Sequence, residues 1–290
     1  MIEIAIASGK GGTGKTTLSV NLASLLASQE AFDKIIICDL DVEEPNSGLF
    51  LNGDLIHKEV KYRMVPQWDE ERCTLCKRCA NICEFNAIAF LGISVLVFPE
   101  LCHSCYACSE LCPEDALPMV EHRMGELKHY KVSDKLEFIE SRLDIGVEQA
   151  VPLIASSREY ARNIATENTL LIYDAPPGTS CPVIEAVKNT KKTILITEPT
   201  PFGLHDLTLA VETMQEMKQP FGVVLNRSGE NDNKVDEYCN TNNIEMIGKI
   251  PFMRDAAVAY SNGKLMIDSI PEIKNAITTI ANNLLKEAAL

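Results

Sequence analysis

The chain has 290 residues, 46% of them hydrophobic, with a formal net charge of -14 and a pI near 4.9, which suits one large domain carrying a smaller one and an ordinary globular core. The acidic balance, without any block of lysine and arginine, lacks the electrostatic footprint of a DNA-coating protein, so no nucleic-acid partner is expected. Met1-Ile2-Glu3 leads into an apolar strand pattern with no basic region or cleavage site, and the longest apolar run, 87–98, is too short to span a bilayer; the expectation is a cytoplasmic protein with no membrane partner.

In chain order, Ile2–Ala7 is a short apolar strand ending at Ser8 and a glycine-rich loop, after which 16–28 shows helical spacing through Leu18, Leu22, Leu25 and Leu26. Further apolar strands are predicted at 35–38, 170–173, 193–197, 222–226 and 246–250, with intervals long enough for crossover helices. Strands alternating with helices predict an α/β fold with a mostly parallel sheet flanked by helices. Among the intervals, 204–217 repeats Leu204, Leu207, Val211, Met214 and Met217 at helical steps, and Ser180, Cys181 and Pro182 read as the cap and first turn of another helix. The alternation breaks between about His57 and Val120, where cysteine runs take over and no long helix can be written. The expected organisation is therefore a large domain of residues 1–58 and 122–290, with 59–121 inserted as a small α+β domain. Within 121–146, the stretches 127–132 and 136–139 could form a hairpin.

Gly9-Lys10-Gly11-Gly12-Thr13-Gly14-Lys15-Thr16 fits G-x-x-x-x-G-K-S/T and lies between a strand and a helix, the context a phosphate-binding loop needs. The glycines let backbone N–H groups close around phosphates where the helix N-terminus adds its positive end. Lys15 is expected to reach the β- and γ-phosphates of ATP, the Thr16 hydroxyl to ligate Mg²⁺, and Thr17 to complete the nucleotide-binding set. Magnesium also calls for carboxylates; Asp174, in Asp-Ala-Pro-Pro-Gly, and Asp39 and Asp41 all follow predicted strands, although each could instead cap a turn.

Of the 11 cysteines, eight fall between Cys73 and Cys112. Cys73, Cys76, Cys79 and Cys83 form C-x₂-C-x₂-C-x₃-C; Cys102, Cys105, Cys108 and Cys112 repeat it and add Pro113. This is the pattern of bacterial two-cluster ferredoxins, in which the fourth cysteine of each run ligates the other cluster. Cys73, Cys76, Cys79 and Cys112 are thus expected to hold one 4Fe–4S cluster, and Cys83, Cys102, Cys105 and Cys108 the second, with 88–98 as a hairpin between the runs; zinc is the competing metal. Glu84 replaces the proline that usually follows the first run. Cys38 and Cys239 read as buried thiols, while Cys181, beside 174–178, could pack or take a redox role.

The second lysine of the loop, Lys10, carries a family resemblance: the chain resembles the deviant Walker ATPases, which include the MinD and ParA family, the nitrogenase iron protein and Mrp-type iron-sulfur carriers. The resemblance covers essentially everything outside the insert, including Glu198-Pro199-Thr200-Pro201. It implies an ATP-dependent homodimer in which Lys10 crosses to the partner's nucleotide, Asp41 orienting the attacking water, Asp174 beside Mg²⁺, and Asn226-Arg227 at the adenine. Two departures narrow the field: 271–290 spaces Ile273, Ile277, Ile280 and Leu284 like a packing helix rather than a basic membrane helix, and Cys239 stands alone where Mrp-type carriers have paired cysteines. The expected activity is slow or partner-stimulated ATP hydrolysis coupled to low-potential electron transfer to a redox partner. The alternatives are a cluster carrier or assembly protein delivering to an accepting protein, and, less favoured, a partitioning switch.

Overall fold

A computed structural model describes residues 1–288. In chain order the elements are β1 (Ile2–Ala7), α1 (Lys15–Ala27), β2 (Lys34–Asp39), β3 (Asp54–Pro66), α2 (Arg78–Ile82), β4 (Ile88–Phe90), β5 (Val95–Val97), α3 (Ala107–Glu110), β6 (Met119–Lys131) and β7 (Leu136–Leu143). They continue with α4 (Ala150–Ile164), β8 (Thr169–Asp174), α5 (Cys181–Val187), β9 (Lys192–Thr197), α6 (Pro201–Glu216), β10 (Phe221–Ser228), α7 (Asn233–Thr241), β11 (Met246–Pro251), α8 (Arg254–Ser261) and α9 (Pro271–Ala288). They fall into two compact units, one of residues 1–58, 127–142 and 154 onward, the other of 59–126 and 143–153. The second unit thus takes in 122–126 and 143–153 besides 59–121, because β6 crosses the boundary and 143–153 returns to it.

The main sheet runs in the order β11-β10-β9-β1-β8-β2-β7-β6-β3. From β11 to β7 every neighbouring pair is parallel. All six residues of β8 are buried, as expected of a strand covered on both faces, which is why these strands read as continuous apolar runs rather than alternating ones. Helix α1 is apolar on most sides and buries Leu18, Val20, Leu22, Ala23, Leu25 and Leu26. Its core also holds Ile273, Ile277 and Ile280 of α9, each worth about 1.5–3 kcal/mol on full burial. The tail helix is therefore a packing helix over its described length; residues 289–290 of the predicted span lie outside the described residues. Among the described residues no helix is long and apolar enough to cross a membrane.

The predicted strands and helices are present with ends displaced by one to three residues. Helix α6 starts at Pro201 rather than 204, because Thr200 caps it by accepting the Gly203 N–H at 2.9 Å. The 127–132 and 136–139 hairpin is longer, as β6 and β7, and turns where Val132 N–H donates to the Leu136 carbonyl. Strand β3 and helix α4 have no counterpart in the sequence reading. The first half of β3 is exposed, as befits the strand at the end of the sheet order, and Leu55 and Ile56 stand side by side between polar residues, so its sequence lacks the alternation that marks a half-buried strand.

In the second unit β4 and β5 form an antiparallel hairpin, Ile88 opposite Val97 and Phe90 opposite Val95, closed by Gly92 at φ +90°. Its small core gathers Ile88, Val95, Cys108 and Leu117 with Trp68, Cys73, Cys79 and Cys83 packed against them. Cysteines make up much of the packing around this core, though of this unit's cysteines only Cys102 and Cys108 are themselves buried, and small cores of that kind usually need a metal or cross-links to stand.

Candidate functional site

The loop between β1 and α1 lies at the carboxyl end of the parallel sheet, where β1 is flanked by β8 and β9. Its glycines are present for different reasons. A Cβ on Gly9 would lie 2.1 Å from the Asp206 carbonyl oxygen of α6, and one on Gly14, at φ +101°, would lie 2.4 Å from Asn226 Nδ2. Gly11 and Gly12 instead face open space. The loop is anchored by Ser8, whose hydroxyl donates to the Lys10 carbonyl at 2.6 Å and whose carbonyl accepts the Gly178 N–H at 3.0 Å. Asn226 Nδ2 donates to the Thr13 carbonyl at 2.8 Å, so the strand β10 side is tied to the loop directly. The loop is thus closed against α6 and β10 on one side and open at Gly11 and Gly12, at the N-terminus of α1.

Lys15 opens α1 and is buried; burial lowers its pKa, against the opposing pull of the Asp174, Asp41 and Asp39 carboxylates. These aspartates play distinct parts. Asp39 and Asp174 are register partners on the adjacent strands β2 and β8, both about 1% exposed. Asp39 accepts the N–H groups of Asp41 (3.1 Å), Asn46 (2.9 Å) and Ser47 (2.9 Å), so its carboxylate staples the following loop. Asp174 faces Thr16 and Ser19, and its pKa is raised by burial and by the Asp39 charge. Its Oδ1 is buried without a hydrogen-bond partner, as is Thr13 Oγ1. An orphaned carboxylate oxygen beside the Thr16 hydroxyl is a donor set suited to a hard divalent cation such as Mg²⁺. Asp41 is half-buried, and burial, with the neighbouring Asp39 charge second, pushes its pKa up to about 6. Thr17, on α1, is bonded through its carbonyl to Asn21 Nδ2 at 2.8 Å.

Lys10 is held within its own chain. Its Nζ lies 2.7 Å from Glu198 Oε1, just past β9, and 4.0 Å from Asp206. Glu198 Oε2 also takes Arg227 Nη1 at 2.9 Å. Arg227 sits at φ +54°, its N–H donating to Asn226 Oδ1 at 2.9 Å. The sequence reading passed over Glu198 and Asp206 as site residues. Their position at the carboxyl end of β9 and the start of α6 marks them, and Glu198 also opens the Glu198-Pro199-Thr200-Pro201 segment of the resemblance.

In the second unit the eight cysteines divide between two cavities. One is lined by Cys73, Cys76, Cys79 and Cys112, the other by Cys83, Cys102, Cys105 and Cys108. Each spans about 350–370 Å³ of space not filled by atoms, solvent mouth included. The two runs are also alike in backbone. Left-handed non-glycine residues stand two and four positions after the first cysteine of each run, Leu75 and Lys77, then Ser104 and Tyr106. They recur three positions after the fourth cysteine, at Asn86 and Asp115. Such strained residues mark functional loops, and here they wrap the chain so that N–H groups turn towards sulfur. Ala87 N–H donates to Cys83 Sγ and Ala116 N–H to Cys112 Sγ, both at 3.3 Å, and Ser104 N–H to Cys102 Sγ at 3.4 Å. Phe85 stacks on His103 with ring centroids 3.7 Å apart, both lining the second cavity. Among the described residues no three His, Cys, Asp or Glu side chains gather tightly enough for a single metal ion. Cys38 and Cys239 are buried in the first unit, and Cys181 is exposed at the start of α5.

Residues 4–266 match the family described as the CobQ/CobB/MinD/ParA nucleotide binding domain. An uncharacterized protein of Methanocaldococcus jannaschii is 28% identical over 284 residues, 97% of each chain. A Pyrococcus horikoshii protein named iron-sulfur cluster carrier protein is 24% identical over 278 residues, 90% of this chain and 77% of that one. In architecture the chain is similar to the septum site-determining protein MinD of Pyrococcus horikoshii complexed with Mg-ADP, at a TM-score of 0.63 and 19% identity over 99% of this chain and 97% of that one.

Proposed function

The chain belongs to the CobQ/CobB/MinD/ParA nucleotide-binding family, and from that membership we propose that it is an ATP-hydrolysing switch that couples its nucleotide state to low-potential electron transfer through two 4Fe–4S clusters. The ATPase domain is residues 1–58 and 122–290; the ferredoxin-like insert is 59–121, a reading supported by a compact second unit that begins at residue 59.

The nucleotide half follows from the loop. Backbone N–H groups of Gly11 to Lys15 meet the phosphates, Lys15 neutralises the β- and γ-phosphates, and Thr16 and Asp174 hold Mg²⁺. Asp41, half-buried where Asp39 is fully buried, orients the attacking water. Asn226 and Arg227 border the adenine side. On ATP binding Lys10 exchanges Glu198 for the nucleotide of a second copy of the chain, where its charge stabilises what develops on the γ-phosphate.

The observation that carries the redox half is the division of eight cysteines into two four-thiol cavities with the fourth cysteine of each run exchanged. Tetrahedral zinc needs four sulfurs converging about 2.3 Å from one point, whereas thiols spaced around a cavity, with N–H groups donated to sulfur, suit ligands to separate irons of one cluster. Such a cluster supplies one-electron chemistry at low potential. The cysteines of each quartet would hold it, and the Ala87, Ser104 and Ala116 N–H groups would donate to its cysteine ligands. The same thiol chemistry favours a reducing, cytoplasmic setting.

A second reading is favoured by the Pyrococcus relative's name: a carrier or assembly protein that uses ATP to load and release clusters. Anaerobic purification with iron and sulfide analysis, followed by incubation with an apo-ferredoxin and Mg-ATP, separates the two. An electron-transfer protein keeps about four irons per quartet through turnover, and loss of iron and sulfide to the acceptor would establish the carrier instead.

A further inference from the structure

The second unit buries one charge that the cysteine runs do not account for. Arg63, in β3, is 5% exposed. Its Nη1 donates to the Cys102 carbonyl at 2.9 Å and to Gln149 Oε1, its Nη2 donates to the Pro99 carbonyl at 2.9 Å, and its Nε is buried without a partner. All three acceptors are uncharged. A guanidinium cannot shed its proton in a protein, so a full positive charge stands in the interior against the backbone of Cys102. Burying a cation is costly unless an anion faces it. The neighbouring strand residue fixes the same loop, Ser104 Oγ donating to the Met64 carbonyl at 2.6 Å, so the charge and the cysteine loop are held in a set relation.

On the reading that each quartet holds a cluster, we propose that Arg63 is a positioning and tuning residue for the quartet Cys83, Cys102, Cys105 and Cys108, and makes the cluster there the more easily reduced of the two. One-electron reduction adds a negative charge and breaks no bond, and a fixed cation nearby stabilises the reduced form more than the oxidised one. The other cavity has cations too, Lys77 and Arg78, but both are exposed, and the exposed Glu114 lines the same wall. Exposed charges are screened by salt over roughly 8 Å, whereas a buried charge is screened much less. The two quartets, alike in backbone, are thereby unequal in potential, and an electron entering the pair rests on the Cys83/Cys102/Cys105/Cys108 side.

The test is a potentiometric titration of the anaerobically purified full-length protein, with dithionite as reductant and EPR as readout. Two reduction steps are expected. Arg63→Gln should lower the upper one by about tenfold in its equilibrium, or 59 mV for one electron, while the lower step stays in place. Arg63→Lys should return most of the shift, which a merely structural role would not do. Cys105→Ser and Cys76→Ser assign the steps, and the upper one must answer to Cys105→Ser. If Arg63→Gln loses iron on folding, that assignment in the otherwise unaltered chain decides. An upper step that answers to Cys76→Ser, a single shared potential, or an upper step unmoved by Arg63→Gln overturns the proposal. Fewer than about eight irons in the parent protein would overturn the two-cluster reading itself.

Discussion

Replacing Glu198 by glutamine should tighten dimerisation in Mg-ATP rather than weaken it. The structure holds Lys10 by a charge-assisted bond of 2.7 Å to Glu198, with side chains 30% and 12% exposed. Hydrogen bonds to charged groups are worth about 1.5–3 kcal/mol, and exposed ion pairs about 0.2–1 kcal/mol. A partly shielded pair therefore falls near 1–2 kcal/mol. If Lys10 must leave Glu198 to reach a second subunit's nucleotide, that energy opposes assembly, and a symmetric dimer breaks two such pairs. Glutamine still accepts a hydrogen bond and Asp206 remains 4.0 Å from Lys10, so the low value is the appropriate one for each pair. The sum is about 2 kcal/mol, a roughly 30-fold lower dissociation constant. Sedimentation with Mg-ATP over a range of protein concentrations measures it, with Asp41→Ala in both proteins to keep nucleotide intact. An unchanged or weaker dimer would refute the idea that Glu198 restrains Lys10.

Other substitutions probe separate parts of the account. Lys10→Ala should bind ATP nearly normally in calorimetry yet fail to dimerise and lose about 10²-fold or more in turnover; a variant that dimerises and hydrolyses like the parent removes the sandwich. Asp41→Ala should retain ATP but release no phosphate. In the parent, kcat/KM should fall as pH drops through about 6, because the Asp41 carboxyl, raised by burial, takes up its proton there. The stability sign is opposite: a raised carboxyl binds its proton in the folded state first, so Asp41 costs stability as pH rises from its unfolded value to about 6, and Asp41→Asn should flatten that part of a melting-temperature profile. Gly9→Ala should lower stability by about 1–3 kcal/mol through the 2.1 Å approach to the Asp206 carbonyl, visible in thermal unfolding even without nucleotide. Cys181→Ser should leave iron content unchanged, whereas Cys105→Ser should disturb one cluster alone.

The parallel sheet was legible because its strands are buried on both faces and write themselves as short apolar runs, and because the loop from Gly9 to Thr16 fixes the register of strand, turn and helix. The cysteine runs were legible as a repeated spacing. Their left-handed residues were not, since Leu75, Lys77, Ser104 and Tyr106 are types that seldom adopt φ above zero. Strand β3 is not legible because its exposed half, with Leu55 and Ile56 adjacent among polar residues, shows no period-two pattern, and Arg63 is hidden with it. A lone arginine in a charged strand announces nothing until its side chain is found buried against carbonyl oxygens. The three aspartates near the loop looked equivalent in sequence. Hydrogen bonding and burial separate Asp39, a staple for the 41–47 loop, from Asp174 with its unpartnered oxygen and from the half-buried Asp41.

The most direct test of nucleotide-coupled redox function is EPR of the anaerobic, dithionite-reduced protein with and without Mg-ATP, on a sample whose iron and sulfide have been counted. The account predicts about eight irons and eight sulfides per chain, reduced-cluster signals that change when Mg-ATP is added, and no such change in Lys15→Ala. Zinc in place of iron, or cluster signals indifferent to Mg-ATP in a protein that binds it, would contradict the account.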